Sequence, residues 1–388
     1  MERTKKSLQS HFGLKLSLFG EEKTFVPMGI PDFKSRSENP YFIFEYKLEG
    51  EVLESLTFEV LDQEGQLIYS MPCKPEYSKP GAYLIYWDGF DNQDCYDSSR
   101  FNSKVLKAVL RAIYMDKSQT VETLFRTEYK EVRWLDVKID RKAKKIEALL
   151  RTNLKDGGTE GLPEGQRVPE NIVEIHGKGP LDQATKNFGE LLDAALEGLA
   201  YHWGRNAHHP EAKNIVLDNG EAYQFFLKPD NQGAKTVKSP VITYRTNLSP
   251  GRSRNWEMSR ILYYNAGYLK FPRQWYYEND DKAMLDFKHT AAHEIGHEIL
   301  LAYGGHVYSK SHKGSSTIVT QSPLGNFLYP GKGEIDLMIY YVENPQYPYP
   351  SDYIKRSVAA EKDVLGLVWL SKLRIEAVDA METQTPFV

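Results

Sequence analysis

The chain has 388 residues, of which 41% are hydrophobic, 26% charged and 12% aromatic. This length predicts two or three domains, and the composition excludes a disordered, collagen-like or low-complexity chain. The formal net charge is −4, from 49 Lys and Arg against 53 Asp and Glu, so the electrostatic basis for dedicated nucleic-acid binding is missing.

The apolar runs are too short to cross a membrane. The strongest of them, such as residues 299–302, fall far below the roughly 20 apolar residues that a spanning helix needs. The N-terminus carries Arg3, Lys5 and Lys6, but Lys15 interrupts the only nearby apolar run, and no small-residue cleavage site follows. We therefore expect no membrane span and no signal peptide. Secretion would use a signal-peptide-independent route, and the alternative is a cytoplasmic protein.

Two cysteines, Cys73 and Cys95, are too few for a disulfide framework or a four-thiolate zinc site. They either form one bridge or remain two free thiols, and the sequence leaves both possibilities open. No signal for oligomerisation is visible, so a monomer is expected.

Short strand-like runs dominate residues 41–150. Each is rich in β-branched or aromatic residues and is separated from the next by turn residues; the runs are 41–46, 56–60, 83–86 and 105–114. This spacing predicts a β-sandwich of roughly 100 residues. Residues 1–40 are polar and irregular, and we interpret them as an N-terminal leader or an edge strand.

Within this β-rich module, Trp87-Asp88-Gly89 and Asp91-Asn92 resemble a turn of immunoglobulin-like domains of the flagellar-hook-capping type. The resemblance implies an immunoglobulin-like β-sandwich. These residues would form a tight turn with an aromatic anchor between two strands, and not a binding site.

A turn-rich segment at residues 156–170 marks the boundary to a second domain, at residues 175–388. Apolar residues spaced by three and four between Phe188 and Leu199 predict a helix with one buried face. A second helix is predicted from about residue 281 to 303. Strand-like segments lie between the two helices, at 223–227, 241–244 and 261–264. The predicted fold class is therefore α+β.

The second of these helices contains the pattern His-Glu-x-x-His, at His293, Glu294 and His297. Positions i and i+4 share one face of a helix, so the two imidazoles can converge on one metal ion, for which Zn²⁺ is the expected cofactor. Glu294 then lies beside the metal, where a carboxylate can take a proton from a zinc-bound water and return it to a leaving amine. The alternatives are a helix with two incidental histidines and a purely structural zinc site.

A catalytic zinc site needs a third protein ligand. The strict metzincin pattern is excluded, because Leu300 and Tyr303 stand where it requires Gly and His. Glu361 is the leading candidate, since residues 358–370 have the apolar flanks of a helix that could pack beside the first, as in gluzincins. Asp363 could support a ligating histidine from outside the ligand shell.

Three further residues remain open as the third ligand, namely Glu334, His306 and His312. Each would need its loop to fold back onto the histidine pair. The predicted set is therefore the histidine pair with Glu361, and these three residues are its alternatives.

Residues 336–340 are similar to the Met-turn of metzincins, in which a Met lies under the metal and a Tyr two residues later hydrogen-bonds the tetrahedral intermediate. The similarity implies that Met338 is the floor of the site and that Tyr340 is an oxyanion donor. Asp336 departs from the pattern, which has a small residue there. The alternative is a buried strand with an alternating apolar face.

Taken together, residues 293–305, 312–316, 333–338 and 360–363 resemble the zincin-like metallopeptidase toxin domain at the C-terminus of some type VI secretion spike proteins. The resemblance covers roughly residues 175–388. It implies an antibacterial or anti-host effector that is injected into a target cell, with two His and one Glu on zinc. This sequence contains no spike domain, so its β-rich half is expected to dock onto the delivery apparatus. A neutralising immunity protein is a further expected partner.

These observations predict a zinc metallopeptidase that hydrolyses peptide bonds of a protein or peptide substrate. Two alternatives stay open: a zinc amidase acting on cell-wall peptides, and a non-enzymatic β-rich adhesin or scaffold. The amidase would share the site chemistry and differ in its cleft, whereas the adhesin would not retain stoichiometric metal.

Overall fold

The computed structural model describes residues 12–20, 22–115, 117–313, 327–342, 348 and 350–378. Over these residues the protein is a mixed α+β structure in which strands outnumber helices. The strands are β1 (Gly13–Leu18), β2 (Glu22–Phe25), β3 (Phe42–Glu49), β4 (Ser55–Leu61), β5 (Leu67–Pro72), β6 (Gly81–Trp87), β7 (Cys95–Asp97), β8 (Lys104–Tyr114), β9 (Lys117–Tyr129), β10 (Leu135–Asp140), β11 (Lys145–Arg151), β12 (Lys155–Glu160), β13 (Ile215–Val216), β14 (Ala222–Asp230), β15 (Val241–Arg245), β16 (Arg254–Trp256), β17 (Ser259–Asn265), β18 (Gly267–Phe271), β19 (Gln274–Glu278), β20 (Ile335–Asp336), β21 (Ser357–Val358) and β22 (Leu373–Val378). The α-helices are α1 (Glu170–His176), α2 (Phe188–His202), α3 (Asp280–Lys310), α4 (Tyr353–Arg356) and α5 (Glu361–Leu370), and short 3₁₀ helices lie at Pro27–Gly29, Pro75–Ser78, Ser98–Arg100 and Gly165–Arg167. No helix within the described ranges is long and apolar enough to pass through a membrane.

The chain divides into two compact units. Of the residues that the structure describes, the first contains those up to Glu131, residues 138–142 and residues 371–378. The second contains residues 132–137 and 143–370. The candidate site described below lies entirely within the second unit.

These limits differ from the domains predicted at 41–150 and 175–388. Residues 1–40 contribute β1 and β2, which are edge strands of the first unit, and β22 pairs with both β2 and β9 in the same unit. Strand pairing across such a distance along the chain leaves no signal in local composition. The sequence therefore could not reveal that the C-terminal strand belongs with the N-terminal ones.

The first unit is β-rich, as predicted. Its three-stranded sheet has the order β1-β3-β6, and its six-stranded sheet has the order β2-β22-β9-β8-β4-β5, with antiparallel neighbours throughout. Phe44 of β3 contacts Phe58 of β4 and Phe125 of β9, and Phe42 of β3 also contacts Phe125, with ring centroids between 5.3 and 5.9 Å apart. The two sheets therefore pack face to face. The immunoglobulin-like topology stays a prediction.

The turn that carries the immunoglobulin-like resemblance lies between β6 and β7. The indole N–H of Trp87 donates to the carbonyl oxygen of Phe90 at 2.8 Å. Gly89 has a φ of +83°, and a Cβ at this position would meet the ring of Phe25. Only glycine accepts both the φ and the close approach. The turn is thus an aromatic-anchored connection between strands, as predicted.

The two cysteines are not bridged. Cys73 follows β5, Cys95 begins β7, and both are free thiols. Of the two possibilities that the sequence left open, the structure has the unbridged one.

A four-stranded sheet lies beside the site in the second unit. Its order is β12-β15-β17-β16; the first three strands are parallel, and β16 is antiparallel at the edge. α3 packs against β16 and β17 on one side and against α2 on the other. Gly198 of α2 faces the carbonyl of Lys288 with no room for a Cβ, and the indole N–H of Trp203 donates to the carbonyl of Ala292 at 3.1 Å. These contacts fix α3 in place.

The elements predicted for this unit are confirmed. The strands predicted at 223–227, 241–244 and 261–264 are parts of β14, β15 and β17, and the first predicted helix is α2. α2 begins with a capping box, in which the Asn187 side chain accepts from the Glu190 amide and the Glu190 carboxylate accepts from the Asn187 amide.

α3 extends beyond its predicted end. It begins after Asn279, whose side chain accepts a hydrogen bond from the Lys282 amide. Just past the predicted end at residue 303 the helix is broken at Gly305, which has a φ of 80° and a ψ of 179°, and helical residues continue to Lys310. This backbone conformation is essentially restricted to glycine.

Candidate functional site

The two histidines of the His-Glu-x-x-His pattern lie on one face of α3, as their spacing predicts. Nδ1 of His293 lies 2.8 Å from the carbonyl oxygen of Leu337, and Nδ1 of His297 lies 3.0 Å from the carbonyl oxygen of Ser309. A carbonyl oxygen can only accept, so both rings carry a proton on Nδ1 and, when neutral, a lone pair on Nε2. The backbone thus sets the tautomer that leaves Nε2 available as a metal ligand.

His312 joins this pair because the chain reverses after the break at Gly305. Its ring centroid lies 5.1 Å from that of His293 and 4.6 Å from that of His297. One nitrogen from each of the three rings lies within 4.8 Å of the others, and no other group of three His, Cys, Asp or Glu side chains in the described part of the chain is this close. The chain after Gly305 therefore folds back onto the histidine pair. The sequence analysis required this of His312 if it is to be a ligand.

His312 is buried, and no hydrogen bond offsets the free energy that its desolvation costs. The residue is 1% exposed, and neither ring nitrogen has a hydrogen-bond partner among the described residues. A buried polar group left unsatisfied costs about 1–3 kcal/mol. A cation bound between the three rings would satisfy one of these nitrogens, so the residues present fit a metal ion.

Burial lowers the pKa of all three imidazoles below the ordinary value. The pKa of His312 falls to about 2, because burial is reinforced by the neighbouring His293 ring and by the positive charges of Arg252 and Lys310. The pKa of His297 is also well below its usual range, from burial and the two neighbouring imidazoles. Before any metal binds, the rings are therefore neutral near pH 7, the form that coordinates metal ions.

A buried ion-pair network holds the segment that carries His312. Nζ of Lys313 lies 2.7 Å from Oδ2 of Asp336 and also pairs with Asp363, and the Tyr308 hydroxyl donates to Oδ1 of Asp363 at 2.7 Å. Removing one partner of a buried pair costs about 3–5 kcal/mol, so the network fixes Lys313 and with it the adjacent histidine. Asp363 thus acts on the site through Lys313, and it forms no hydrogen bond to any histidine in the described part of the chain.

Glu294 of α3 faces the edge strand β16 and is 7% exposed. Burial raises the pKa of its carboxyl to about 7, against the lowering effect of the Lys310 and Arg252 charges and the Asn255 backbone. Nδ2 of Asn255 donates to the backbone carbonyl of Glu294 at 3.0 Å, which ties β16 to the helix. A carboxyl whose pKa lies near 7 can both accept and release a proton at neutral pH.

The turn after β20 packs against the histidine-bearing face of α3. Met338 is fully buried, and its Sδ would lie 2.6 Å from a Cβ on Gly296, so a larger residue at position 296 would have to displace the Met338 side chain. The Tyr340 ring stacks on His312, and its hydroxyl lies 3.4 Å from Nη2 of Arg252. Met338 therefore lies in a turn and Tyr340 just after it, and neither lies in the buried strand that was the alternative. The roles that the Met-turn similarity implies for them stay predictions.

Two adjoining cavities, of about 520 and 260 Å³, form a cleft past the histidines. The larger cavity is lined by His293, and the smaller by His297 and His312. Both are lined by Arg252, Ser253, Glu294 and Tyr340. An extended ligand could therefore pass Glu294 and occupy space on both sides of it.

The other candidates for the third ligand lie elsewhere. The Glu361 carboxylate accepts a hydrogen bond from the Val216 amide, Oε1 of Glu334 lies 2.6 Å from Nη2 of Arg205, and His306 is exposed. None of the three forms a group with the histidine pair. α5 does pack beside α3 as predicted. Its first residue, Glu361, faces β13 and is therefore directed away from the histidine pair. The third member of the group is thus His312 and not the leading candidate Glu361.

Several residues of the site escaped the sequence analysis. The carbonyls of Leu337 and Ser309 orient the histidines, while Arg252 and Asn255 face Glu294. A backbone carbonyl carries no residue-type signal, and Arg252 and Asn255 lie in a short polar stretch without periodicity. No signal in the sequence could have identified them.

No protein-family model matches the chain, and no curated protein matches it. Solved structures with some likeness include three β-glucuronidases, from Bifidobacterium dentium (12% identical, covering 36% of this chain and 21% of that chain, TM-score 0.17), Bacteroides uniformis (8%, 76% and 27%, 0.17) and Parabacteroides merdae (10%, 75% and 28%, 0.16). The chain thus spans less than a third of the length of these enzymes. At such TM-scores the likeness carries no argument about fold or activity.

Proposed function

We propose that the protein is a zinc-dependent metallopeptidase with His293, His297 and His312 as the protein ligands of the metal. The observation that carries the proposal is the convergence of three neutral imidazoles, one of them buried with no partner for either nitrogen. Three protein ligands with a further open position are the arrangement of catalytic zinc sites, whereas structural sites are closed by four. Zinc, when bound, supplies a Lewis acid that polarises the scissile carbonyl and activates water.

Glu294 is the proposed general base and acid. Its carboxylate takes a proton from the attacking water and later gives it to the leaving amine. A pKa of about 7 suits both transfers, because neither protonation state is strongly favoured near neutral pH. Its buried position on α3, facing β16, keeps the carboxylate at the junction of the two cavities.

Tyr340 is the proposed donor to the developing oxyanion. Burial raises the pKa of its hydroxyl, so the group stays protonated and able to donate. The stack on His312 holds the ring, and Arg252 lies beside the hydroxyl. A preorganised donor of this kind stabilises the transition state more than the substrate, which is the requirement for catalysis.

A peptide bond within an extended chain is the favoured substrate. Two cavities that meet at Glu294 offer space to residues on each side of a scissile bond. A cell-wall amide shares the same chemistry, and an assay on peptidoglycan alongside an unfolded protein separates the two substrates. Delivery by a type VI apparatus and neutralisation by an immunity protein stay predictions of the sequence resemblance.

The test combines metal content with turnover. We expect one zinc per chain after reconstitution and dialysis, and hydrolysis of an unfolded protein substrate. Glu294→Gln should keep the zinc and the fold and lose hydrolysis, whereas the control Glu361→Gln should keep all three. A folded wild type that retains no zinc, or a fully active Glu294→Gln variant, would reject the proposal.

A further inference from the structure

His289 lies on α3 one turn before His293, and the proposed mechanism gives it no role. Its side chain forms part of the wall of the larger cavity, together with His293 and Glu294. The residue is partly exposed, so the cavity reaches its ring. Four residues of a helix advance about 6 Å along the axis, which places His289 that far along the cleft from the proposed metal ligand.

The imidazole of His289 has hydrogen-bonding groups that the protein does not use. No described residue forms a hydrogen bond with either ring nitrogen. Burial and the neighbouring rings of His202 and His293 hold the pKa of His289 well below its ordinary value, so the ring is neutral near pH 7. A neutral imidazole carries one N–H donor and one lone-pair acceptor. Both are therefore available to a ligand in the larger cavity.

Two neighbouring rings restrict the orientation of this imidazole. The ring of His202 meets it at 89°, with centroids 5.2 Å apart, and the ring of Tyr353 meets it at 73°, with centroids 5.7 Å apart. His202 is itself held, because its Nδ1 lies 2.7 Å from the carbonyl oxygen of Ser357. A side chain that packing has already ordered loses little conformational entropy when it binds a ligand. The ring of His289 is thus preorganised without being hydrogen-bonded.

A peptide main chain matches such a ring better than an ionised side chain does. Each residue of an extended chain, except proline, offers one N–H and one C=O, and neither group carries a net charge. Successive residues advance by about 3.3 Å, so the distance of about 6 Å between His293 and His289 corresponds to roughly two residues of substrate. His289 is therefore within reach of the second residue from the scissile bond.

We propose that His289 hydrogen-bonds the substrate main chain about two residues from the scissile bond. The substrate class is then a peptide that continues for at least two residues on the His293 side. An amide whose chain ends sooner on that side lacks the group that His289 binds. The inference rests on the proposed function, since it names the substrate class of the same site.

The test measures how the rate depends on substrate length, on the zinc-reconstituted protein. A peptide core is N-acetylated, C-amidated and lengthened by one alanine at a time at either end. We expect kcat/KM to rise roughly two- to tenfold at one added residue, the range of a net hydrogen bond. Two further peptides replace the amide on either side of that residue by an ester, which removes the N–H and weakens the carbonyl as an acceptor. One of the two esters should lose the increment.

His289→Phe keeps a ring against His202 and Tyr353 and removes both ring nitrogens. The ratio of kcat/KM between the longer and the shorter peptide should therefore fall to about one, with zinc content unchanged. A general loss of structure would lower both rates and leave this ratio as it was. His289→Asn has a donor and an acceptor and should recover part of the increment. The control His208→Phe, at an exposed position, should keep the wild-type ratio.

Three results would overturn the inference and leave the proposed function standing. The first is a wild type that cleaves the peptides with no increment at either end. The second is a wild-type ratio in His289→Phe. The third is an increment that neither ester affects, and this comparison decides on the wild type even if His289→Phe does not fold.

Binding separates the two proposals if the wild type cleaves none of the peptides. Fluorescence anisotropy of the labelled peptides on the metal-free protein would then show tighter binding of the longer peptide to the wild type and not to His289→Phe. That result would retain the main-chain contact and reject hydrolysis. Equal binding of longer and shorter peptides would reject the contact as well.

Discussion

The phenol ring of Tyr340 lies face to face with the imidazole ring of His312, with centroids 3.6 Å apart and planes inclined by 18°. The contact joins the turn after β20 to the segment after α3. The same phenol ring is nearly parallel to that of His293, at 5.9 Å. One side chain therefore supports the third histidine while presenting its hydroxyl to the cleft.

Replacing this tyrosine separates the two roles. Tyr340→Phe keeps the stack and removes the hydroxyl, so we expect kcat to fall roughly 10²–10³-fold with zinc content unchanged. Tyr340→Ala also removes the stack and should reduce zinc retention. Steady-state kinetics and elemental analysis measure the two effects. Full activity in Tyr340→Phe would take the hydroxyl out of the mechanism.

The third ligand can be identified from metal affinity. His312→Ala should weaken zinc binding by more than the roughly 10–100-fold that loss of a residue supporting the ligands costs. Glu361→Ala, the matched control on α5, should bind zinc like the wild type. Equilibrium dialysis with a check of folding by circular dichroism makes the comparison. The reverse pattern would restore Glu361 as the ligand.

Gly305 is predicted to be a structural requirement of the site. Its φ of 80° and ψ of 179° are strained for any residue with a Cβ, so Gly305→Ala should lower the free energy of unfolding by roughly 1–3 kcal/mol. Zinc affinity should fall with it, because the break directs the chain back to the histidines. The neighbouring Gly304→Ala changes a helical position and should cost no stability. Urea denaturation with and without zinc distinguishes the pair of variants.

His202 should make the metal-free protein sensitive to acid. Burial lowers the pKa of its ring to about 4 in the folded state, where Nδ1 lies 2.7 Å from the Ser357 carbonyl. Between about pH 6.5 and pH 4 the unfolded chain binds this proton and the folded chain does not, so stability falls as pH falls. The stability lost amounts to roughly 3 kcal/mol.

The measurement is urea denaturation in a chelator at several pH values across that window. His202→Gln should make the free energy of unfolding depend less steeply on pH. The change in slope should correspond to at most one proton fewer taken up on unfolding. His208→Gln, at an exposed position nearby in the sequence, should give a curve parallel to the wild type. A His202→Gln curve with the wild-type slope would contradict the prediction.

The histidine pair and Glu294 were predictable because their relationship is local. Spacing along a helix fixes which side chains share a face, and the apolar pattern identified the helix. The packing of α5 beside α3 was also predictable from its apolar flanks. The position of Glu361 could not be predicted in the same way. The direction in which a packed helix presents its first residue depends on its neighbours, and here that residue faces β13.

The sequence alone predicted α2, α3 and α5, three strands of the site's unit and the two histidines of α3, since each depends on residues a few positions apart. That His312 completes the group and that β22 joins the first unit could be seen in the folded structure alone. The position of His312 depends on the backbone at Gly305 and on the pairing of Lys313 with Asp336 and Asp363. Such contacts gain their free energy from burial and desolvation of groups that meet only in the folded chain, so no local pattern encodes them.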